Sequence, residues 1–283
     1  MEVQAQPGTW LITGCSTGLG RALAETVLAA GQNAVVTARD AGKVADLATN
    51  NSDRVLPLAL DVTDSTQVTD AVSQAEEKFG HIDVLVNNAG YGYRAAVEEG
   101  DESDIRQLFE TQFFGAVAMI KAVLPGMRAR RSGAIVNIST IGVQIMPAGS
   151  GYYAASKAAL EAMSGALHGE LKPLGISVTV IEPGGFRTDF AGRSLQQSAD
   201  PIADYAETAG ANRENIRSVS GSQPGDPARA AAAIIAAVEA PNPPLHLLLG
   251  KAALAGARRK LDALKKDFEA WEETTVAADF PER

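Results

Sequence analysis

The sequence has few of the residues that form covalent cross-links and metal centres. Its 283 residues include one cysteine, Cys15, so neither an intrachain disulfide nor a multi-cysteine zinc site can form. Three histidines leave little material for a histidine-based metal site, and we expect no metal. Aromatic residues make up 5% of the chain, whereas glycine is abundant at 27 residues. This composition is typical of a globular protein and excludes a disordered or collagen-like chain.

An excess of basic charge and long apolar runs are also lacking. The chain has 25 Lys and Arg against 34 Asp and Glu, a net charge of −9, which argues against nucleic acid as a partner. No run approaches the ~18 apolar residues of a membrane span. The N-terminal segment MEVQAQPGTWLITG lacks the basic start and long apolar run of a signal peptide. We therefore expect a cytoplasmic protein that does not enter a membrane.

Short apolar runs alternate along the chain with longer amphipathic stretches. The runs that predict strands cover 10–12, 34–36, 55–60, 84–86, 134–138, 176–181 and 245–249. Helical spacing of apolar residues occurs over 21–30, 63–79, 105–124 and 153–171. This alternation predicts a parallel sheet buried between helices, with ligands at the carboxyl edge of the strands. We predict an α/β fold, a single Rossmann-like doubly wound domain over 1–283, with a seven-stranded parallel sheet and helices on both faces.

Two later segments differ from this pattern. The segment 191–225 is rich in Ser, Gln, Asp, Ala and Gly, which indicates an insertion that serves as a substrate lid. The segment 251–275 predicts a C-terminal helix with apolar residues near heptad spacing, at Leu254, Leu261, Leu264, Phe268 and Trp271. This helix either docks on the body of the domain or forms a subunit contact.

A glycine-rich turn follows the first strand and opens the first helix. It reads Thr13-Gly14-Cys15-Ser16-Thr17-Gly18-Leu19-Gly20. Its glycines allow a tight turn and close approach to a pyrophosphate, and the helix N-terminus offers free N–H groups. Three residues separate the first two glycines, unlike the commonest dinucleotide fingerprint. The turn predicts a phosphate-binding loop, and the alternative is a glycine-rich turn without a ligand.

Further motifs follow this loop in a characteristic order. They are Leu60-Asp61-Val62, Asn87-Asn88-Ala89-Gly90, the pair Tyr153 and Lys157, and Pro183-Gly184. With the glycine loop, this combination resembles the short-chain dehydrogenase/reductase family over residues 9 to 250, and it is more specific than any single motif. The resemblance implies an oxidoreductase that interconverts a carbonyl compound and an alcohol by hydride transfer with a nicotinamide cofactor.

The resemblance implies that Tyr153 is the general acid and base. Tyr153 and Lys157 are four residues apart and share one helix face. A free tyrosine has a pKa of about 10, and we expect the lysine cation to lower it. In the family the lysine also binds the nicotinamide ribose hydroxyls. Tyr152 is off the face of Lys157 and is the weaker candidate.

Two positions depart from the family pattern. The family places a serine 13 residues before the tyrosine, where this chain has Thr140. Thr140 keeps the hydroxyl that orients the substrate oxygen, and Ser139 is the alternative if the loop is shifted. Gln112 stands where the family carries an asparagine that supports a helix kink and a proton-relaying water. These departures leave a second hypothesis, a nicotinamide-cofactor-binding regulatory protein with a weakened catalytic site.

The end of the second strand bears on the choice of cofactor. The family places a carboxylate there when it uses NAD, whereas this chain has Ala38 followed by Arg39. Arg39 can pair with a 2′-phosphate, and Ser16 can add a hydroxyl donor. Asp40 opposes this interpretation, unless it caps the helix that begins at Ala41. We expect NADP(H) to be preferred, with NAD(H) also possible.

The resemblance assigns the remaining cofactor contacts. Asp61 and Val62 contact the adenine, Asn88 contacts the adenosine ribose, and Thr188 binds the carboxamide. The others are Gly14, Ser16, Thr17, Gly18, Leu19, Gly20, Tyr153, Lys157, Pro183 and Gly184. Mostly apolar residues near the ligand edge suggest a hydrophobic small-molecule substrate, and the alternative is that they only pack in the core or the lid. They are Tyr91, Tyr93, Gln144, Met146, Phe190, Leu195 and Tyr205. The family also implies a homodimer or homotetramer through the helices around 105–124 and 153–171.

Overall fold

The computed structural model of the chain describes residues 8–49 and 51–280. The first seven residues, on which much of the export-signal expectation depends, and the last three of the predicted 1–283 domain lie outside the described residues. The strands are β1 (Thr9–Ile12), β2 (Asn33–Ala38), β3 (Val55–Ala59), β4 (Val84–Asn87), β5 (Gly92–Arg94), β6 (Gly133–Ile138), β7 (Ile176–Pro183), β8 (Leu195–Gln197) and β9 (His246–Leu249). The helices are α1 (Gly18–Ala29), α2 (Ser65–Phe79), α3 (Glu102–Phe109), α4 (Gly115–Arg130), α5 (Gly142–Ile145), α6 (Gly151–Leu171), α7 (Ala211–Ser218), α8 (Pro227–Val238), α9 (Lys251–Ala270) and α10 (Glu272–Val276).

Seven of the strands form one parallel sheet in the order β3-β2-β1-β4-β6-β7-β9. The order reverses next to β1, where Leu11 pairs with Val35 of β2 on one side and with Leu85 of β4 on the other. Loops that leave β1 and β4 therefore diverge and open a crevice at the carboxyl edge. The predicted Rossmann-like α/β fold with a seven-stranded parallel sheet is confirmed.

Neighbouring residues of a strand enter different cores, which explains the uninterrupted apolar runs. Trp10 and Ile12 lie in one core, which α1 and α8 cover. Leu11, between them, lies in the second core, which α2, α4 and α6 cover. Both sheet faces are thus buried under helices, as predicted.

The predicted helix 105–124 is part of a longer helical stretch, Glu102–Arg130. Its middle turn, Glu110–Phe114, is a π-helix that joins α3 to α4. The stretch has the length and mean hydropathy (1.3) of a helix that could cross a membrane, a criterion that buried helices of globular proteins also meet. Here Met119, Ile120 and Val123 are buried in the core against the sheet.

The C-terminal helix α9 contacts the rest of the protein through its first turns. Ala253 and Ala257 are buried with Ile141, and Gly256 is buried beside them. Farther along, Leu261, Phe268 and Trp271 are 64%, 68% and 66% exposed. Helix α9 therefore docks on the body of the domain through its first half only.

The sequence analysis did not predict β5, β8, α7 or α8. Strands β5 and β8 pair in parallel as a separate two-stranded sheet, with Arg94 opposite Gln197. Helix α8 begins after Asp226, whose carboxylate accepts hydrogen bonds from Ala228 N and Arg229 N.

Candidate active site

The glycine loop lies at the carboxyl end of β1, beside the turn that follows β4. Gly14 and Gly18 have φ values of 74° and 65°, the left-handed region that favours glycine. A Cβ atom on Gly14 would lie 2.9 Å from the Cα of Ala89. The Asn88 side-chain amide donates to the carbonyl oxygens of Thr13 and Gly14, at 2.8 and 3.0 Å. Asn88 therefore fixes the loop.

Helix α1 begins directly at this loop. Its N-cap residue, Thr17, makes no side-chain capping hydrogen bond, and no acidic residue lies in the first turn. The positive end of the helix is thus available to an anion. Inside the loop, burial raises the pKa of Cys15 to about 12, and its thiol donates to Ile12 O at 3.2 Å. The thiol is therefore a small buried group and not a reactive one.

At the end of β2, the side chains of Arg39 and Asp40 have different roles. Ala38 is buried, and Arg39 after it is exposed. The Asp40 carboxylate accepts from Gly42 N at 2.9 Å and caps the short 3-10 helix Ala41–Lys43, which was the alternative reading of that residue. No ion pair among residues 8–49 and 51–280 engages Arg39. Its guanidinium is thus available at this edge.

Other predicted cofactor contacts lie around the same crevice. Asp61 Oδ1 accepts from Thr63 N and Thr63 Oγ1, at 3.0 and 2.7 Å, and so shapes a turn. A Cβ atom on Gly18 would lie 3.5 Å from the Cβ of Thr188, which places Thr188 against the glycine loop. Gly184 N donates to Leu249 O at 3.0 Å, which holds the Pro183-Gly184 turn beside β9.

Helix α6 presents both predicted catalytic side chains. Tyr153 is 6% exposed and Lys157 is 5% exposed. The Thr140 hydroxyl lies close enough to Tyr153 to lower its pKa, whereas Ser139 donates to Glu161. The structure therefore brings Thr140, and not Ser139, to the tyrosine. Tyr152 donates to Val97 O at 2.6 Å and faces away from the pair.

The charge that acts on Tyr153 was not the one predicted. Burial raises the pKa of Tyr153 to about 12, and the groups that oppose the rise are the guanidinium of Arg94 and the hydroxyl of Thr140. The sequence predicts instead that Lys157 lowers this pKa. Lys157 Nζ instead donates to the carbonyl oxygen of Ile138 at 2.8 Å, at the end of β6.

Arg94 was missed by sequence reasoning. Its guanidinium carbon lies over the Tyr153 ring, 5.2 Å from the ring centroid. Nη1 donates to Tyr93 O at 3.0 Å, and Nε has no partner among the described residues. Burial lowers the pKa of Arg94, and the nearby Tyr153 opposes that fall. Nothing local in the segment Tyr91-Gly92-Tyr93-Arg94 distinguishes this arginine from a surface loop residue.

Lys157 faces a cluster of acidic side chains. Burial lowers the pKa of Lys157 to about 8, and the charge of Glu161 opposes that fall. Burial raises the pKa of Glu161 to about 7, and the charge of Glu182 adds to the rise. Glu182 pairs with His246 Nδ1 at 2.8 Å and accepts from Gln144 Nε2 at 3.1 Å. Ligand-type atoms of Glu161, Glu182 and His246 lie within 4.8 Å of one another, and hydrogen bonds already engage the carboxylates.

A small cavity lies on another side of Lys157. It measures about 10 Å³, and its wall includes Asn87, Gln112 and Lys157. Gln112 belongs to the π-helical turn and donates to Tyr91 O at 2.7 Å. The amide oxygens of Gln112 and Asn87 are buried and have no partner among the described residues. The helix is therefore irregular at this turn with glutamine in place, and two free acceptors and a lysine border a cavity the size of one water molecule.

The segment 191–225, predicted to be a lid, lies against the site. Strand β8 pairs with β5, and the ring of Phe190 lies 5.7 Å from that of Tyr153. Glu99 is fully buried and pairs with Arg213 of α7 at 2.7 Å. Glu99 also accepts from Ile202 N at 2.9 Å, so one carboxylate fastens this segment at two points.

The other predicted substrate-side residues have varied settings. Tyr93 is buried, and its hydroxyl accepts from Asp101 N at 3.1 Å, which makes it a packing residue. Tyr205 donates to Glu98 at 2.6 Å on the surface of the segment. Met146 is 60% exposed. Phe190 is thus the candidate that the structure places directly against Tyr153.

Comparison with known proteins gives the site a context. A family model described as short chain dehydrogenase matches residues 9–199. "Oxidoreductase BOA17" of Botryotinia fuckeliana is 40% identical over 272 residues, which cover 95% of this chain and 98% of the relative. "3-ketodihydrosphingosine reductase" of Bacteroides thetaiotaomicron is 39% identical over 204 residues, 72% of this chain and 73% of the relative.

Solved structures agree with these sequence relatives. A short-chain dehydrogenase from Streptomyces avermitilis has 41% identity and a TM-score of 0.91, with 99% of this chain and 100% of that chain covered. Two more distant structures share the fold at 23% and 24% identity, with TM-scores of 0.81 and 0.73. The first, a short chain dehydrogenase/reductase from Burkholderia phymatum, is a complex with NAD and covers 93% of this chain and 95% of its own. The second, ElxO, has NADP bound and covers 88% of this chain and 100% of its own.

Proposed function

The chain belongs to the short-chain dehydrogenase family and is an oxidoreductase, and we propose that it interconverts a ketone or aldehyde with its alcohol by using NADP(H). One observation carries this proposal. Tyr153 and Lys157 are both buried, one turn apart on α6, and the hydroxyl of Thr140 lies close enough to Tyr153 to lower its pKa. This is the arrangement needed to exchange a proton with a carbonyl oxygen.

The residues of the crevice fit a nicotinamide dinucleotide. A side chain at Gly14 would collide with the backbone of Ala89, so glycine is needed for the loop to turn tightly at the crevice. The uncapped start of α1 supplies N–H donors for the phosphates, and Thr188 lies beside the loop. When bound, the nicotinamide supplies or accepts the hydride.

The protein's own groups handle the proton. In the reductive direction, the Tyr153 hydroxyl donates a proton to the substrate oxygen, which also accepts a hydrogen bond from Thr140. Lys157 holds the hydroxyls of the nicotinamide ribose. The cavity beside Lys157 and Gln112 has room for a water that returns the proton to the site.

Arg39 supports the preference for the phosphorylated cofactor, because it is exposed at the end of β2 and engages no carboxylate among the described residues. Fluorescence titration should show tighter binding of NADPH than of NADH. Arg39→Gln should weaken NADPH by about 10- to 100-fold, the value of a charged hydrogen bond, and leave NADH unchanged. Tighter binding of NADH to the unmodified protein would contradict this preference.

A hydrophobic carbonyl compound is the proposed substrate class. Phe190 provides an apolar wall next to Tyr153, and one relative is named for the reduction of a ketone on a long-chain base. A panel of ketones and aldehydes of increasing chain length, tested with the tighter-binding cofactor, should show kcat/KM rising with length. Faster turnover of short polar carbonyls would reject the hydrophobic class.

A second candidate function is a cofactor-binding regulatory protein. The observations that favour it are the departures at Gln112 and Thr140. The double variant Gln112→Asn with Thr140→Ser separates the two functions. A large gain in turnover would favour the regulatory protein, whereas little change would support an enzyme adapted to these residues.

We also propose that the protein is a homodimer or homotetramer. Phe114 on the long helix is 52% exposed, and the exposed apolar residues of α9 offer a further surface. Light scattering would give the mass. A monomer at high concentration would reject the proposal, and a dimer that Phe268→Glu dissociates would assign the contact to α9.

A further inference from the structure

Arg94 is a buried cation without a counter-charge. It is 8% exposed, and the ion pairs found among residues 8–49 and 51–280 do not include it. A buried charge without a partner is unfavourable for folding. The other buried arginine near this segment, Arg213, is fully paired with Glu99. The contrast with Arg213 indicates that the unpaired charge of Arg94 has a functional role where it lies.

The position is the face of the proposed acid-base tyrosine. The guanidinium lies over the ring at 5.2 Å, which leaves the Tyr153 hydroxyl free to meet Thr140 and a substrate oxygen. The hydrogen bond from Nη1 to Tyr93 O and the pairing of β5 with β8 hold Arg94 in place. The guanidinium cannot rotate away to solvent without breaking this bond.

We propose that Arg94 is a positioning residue for the reaction, whose positive charge stabilises the phenolate form of Tyr153 and so lets the tyrosine release and recover its proton. This inference rests on the proposed function. An arginine keeps its charge at every working pH, so the effect is permanent. A carboxylate partner for Arg94 would have cancelled it.

The neutral groups beside Tyr153 do not supply this effect. Phe190, which follows β7, is apolar, and Thr140, which follows β6, contributes a neutral hydroxyl. Lys157, on the same helix, directs its ammonium to Ile138 O. Burial alone favours the neutral phenol, which would hold the proton too tightly for transfer. Arg94 is therefore the charge that faces the ring.

The test measures the ionisation of Tyr153 directly. Tyrosinate absorbance is titrated in the protein and in its complex with the oxidised cofactor, and the Tyr153→Phe variant identifies the signal of this residue. Arg94→Met should move the midpoint to higher pH by about one unit or more, and Arg94→Lys should stay close to the unmodified protein. Arg193→Met, which removes an exposed arginine of the neighbouring segment 191–225, should have no effect.

The pH profile of alcohol oxidation provides the second readout. Its limb that requires the phenolate should move to higher pH in Arg94→Met and remain in place in Arg94→Lys. Circular dichroism identifies a variant that fails to fold, and Arg94→Gln then replaces Arg94→Met. An unshifted titration in a folded, uncharged variant would overturn the proposal, and so would a loss confined to acidic substrates. The titration needs no substrate, so it tests Arg94 even if the proposed substrate class is wrong.

Discussion

Tyr153 and Lys157 lie one turn apart on α6, yet their surroundings carry opposite charge. Both are at least nine-tenths buried, and burial pushes each toward its neutral form, with pKa values of about 12 for the tyrosine and about 8 for the lysine. The tyrosine faces the cation of Arg94, and the lysine faces the carboxylate of Glu161. Each neighbour favours the charged form of the group that it faces.

The two neighbours differ in their own bonding. Arg94 has no carboxylate partner among the described residues, whereas Glu161 belongs to a cluster with Ser139, Glu182 and His246. The tyrosine side therefore has a fixed charge, and the lysine side has one carboxylate, Glu161, that can exchange a proton near neutral pH. These two functional groups are therefore tuned separately.

The largest expected effect comes from removing the phenol itself. Tyr153→Phe should lower kcat by about 10²–10⁴-fold, because no other hydroxyl reaches the substrate oxygen as an acid. Steady-state kinetics measures the loss, and cofactor affinity should change little. Tyr152→Phe is the matched control, since it removes only a hydrogen bond to Val97 O. Equal losses in the two variants would show that Tyr153 has no special role.

An intermediate effect should separate the adjacent hydroxyls of Thr140 and Ser139. Thr140 serves the tyrosine side, so Thr140→Ala should lower kcat by about 10- to 100-fold. Ser139 serves Glu161, so Ser139→Ala should cost less than about threefold. Kinetics of the two variants under one set of conditions decides between them. The reverse order would mean that the loop shifts on cofactor binding and exchanges their roles.

The smallest effect is a shift of pH dependence on the lysine side. Glu161 raises the pKa of Lys157, so Glu161→Gln should let the ammonium lose its proton at lower pH. The alkaline limb of activity should then move down by about one unit or less, with little change at its maximum. Glu170→Gln, an exposed change on the same helix, is the control. A shift to higher pH would contradict this electrostatic interpretation.

The sheet could be predicted from the sequence because its strands are buried on both faces. Its strands are short, mainly apolar runs, and the predicted bounds differ from the observed ones by at most two residues, as for 134–138 against Gly133–Ile138. Strands β5 and β8 have three residues each and no such run. They exist because they pair with each other across a long stretch of sequence, which local patterns do not encode.

Local sequence patterns likewise predict some residues of the site and not others. Tyr153, Lys157 and Thr140 could be predicted because their spacing follows a helix and a known motif. The proximity of Glu161 to Lys157 follows from helical spacing, a signal that was present but unused. Glu182 and His246 meet through the register of β7 with β9, and Arg94 reaches Tyr153 through the fold of β5. Those contacts are tertiary, so no local sequence pattern predicts them.

The buried thiol of Cys15 has a practical consequence. It is the chain's only cysteine, and it lies without exposed surface inside the glycine loop. A thiol reagent can reach Cys15 only when the loop opens. The rate of labelling therefore reports how often the glycine loop opens. No other residue has to be substituted for this measurement, and a ligand that closes the loop would slow the labelling of Cys15.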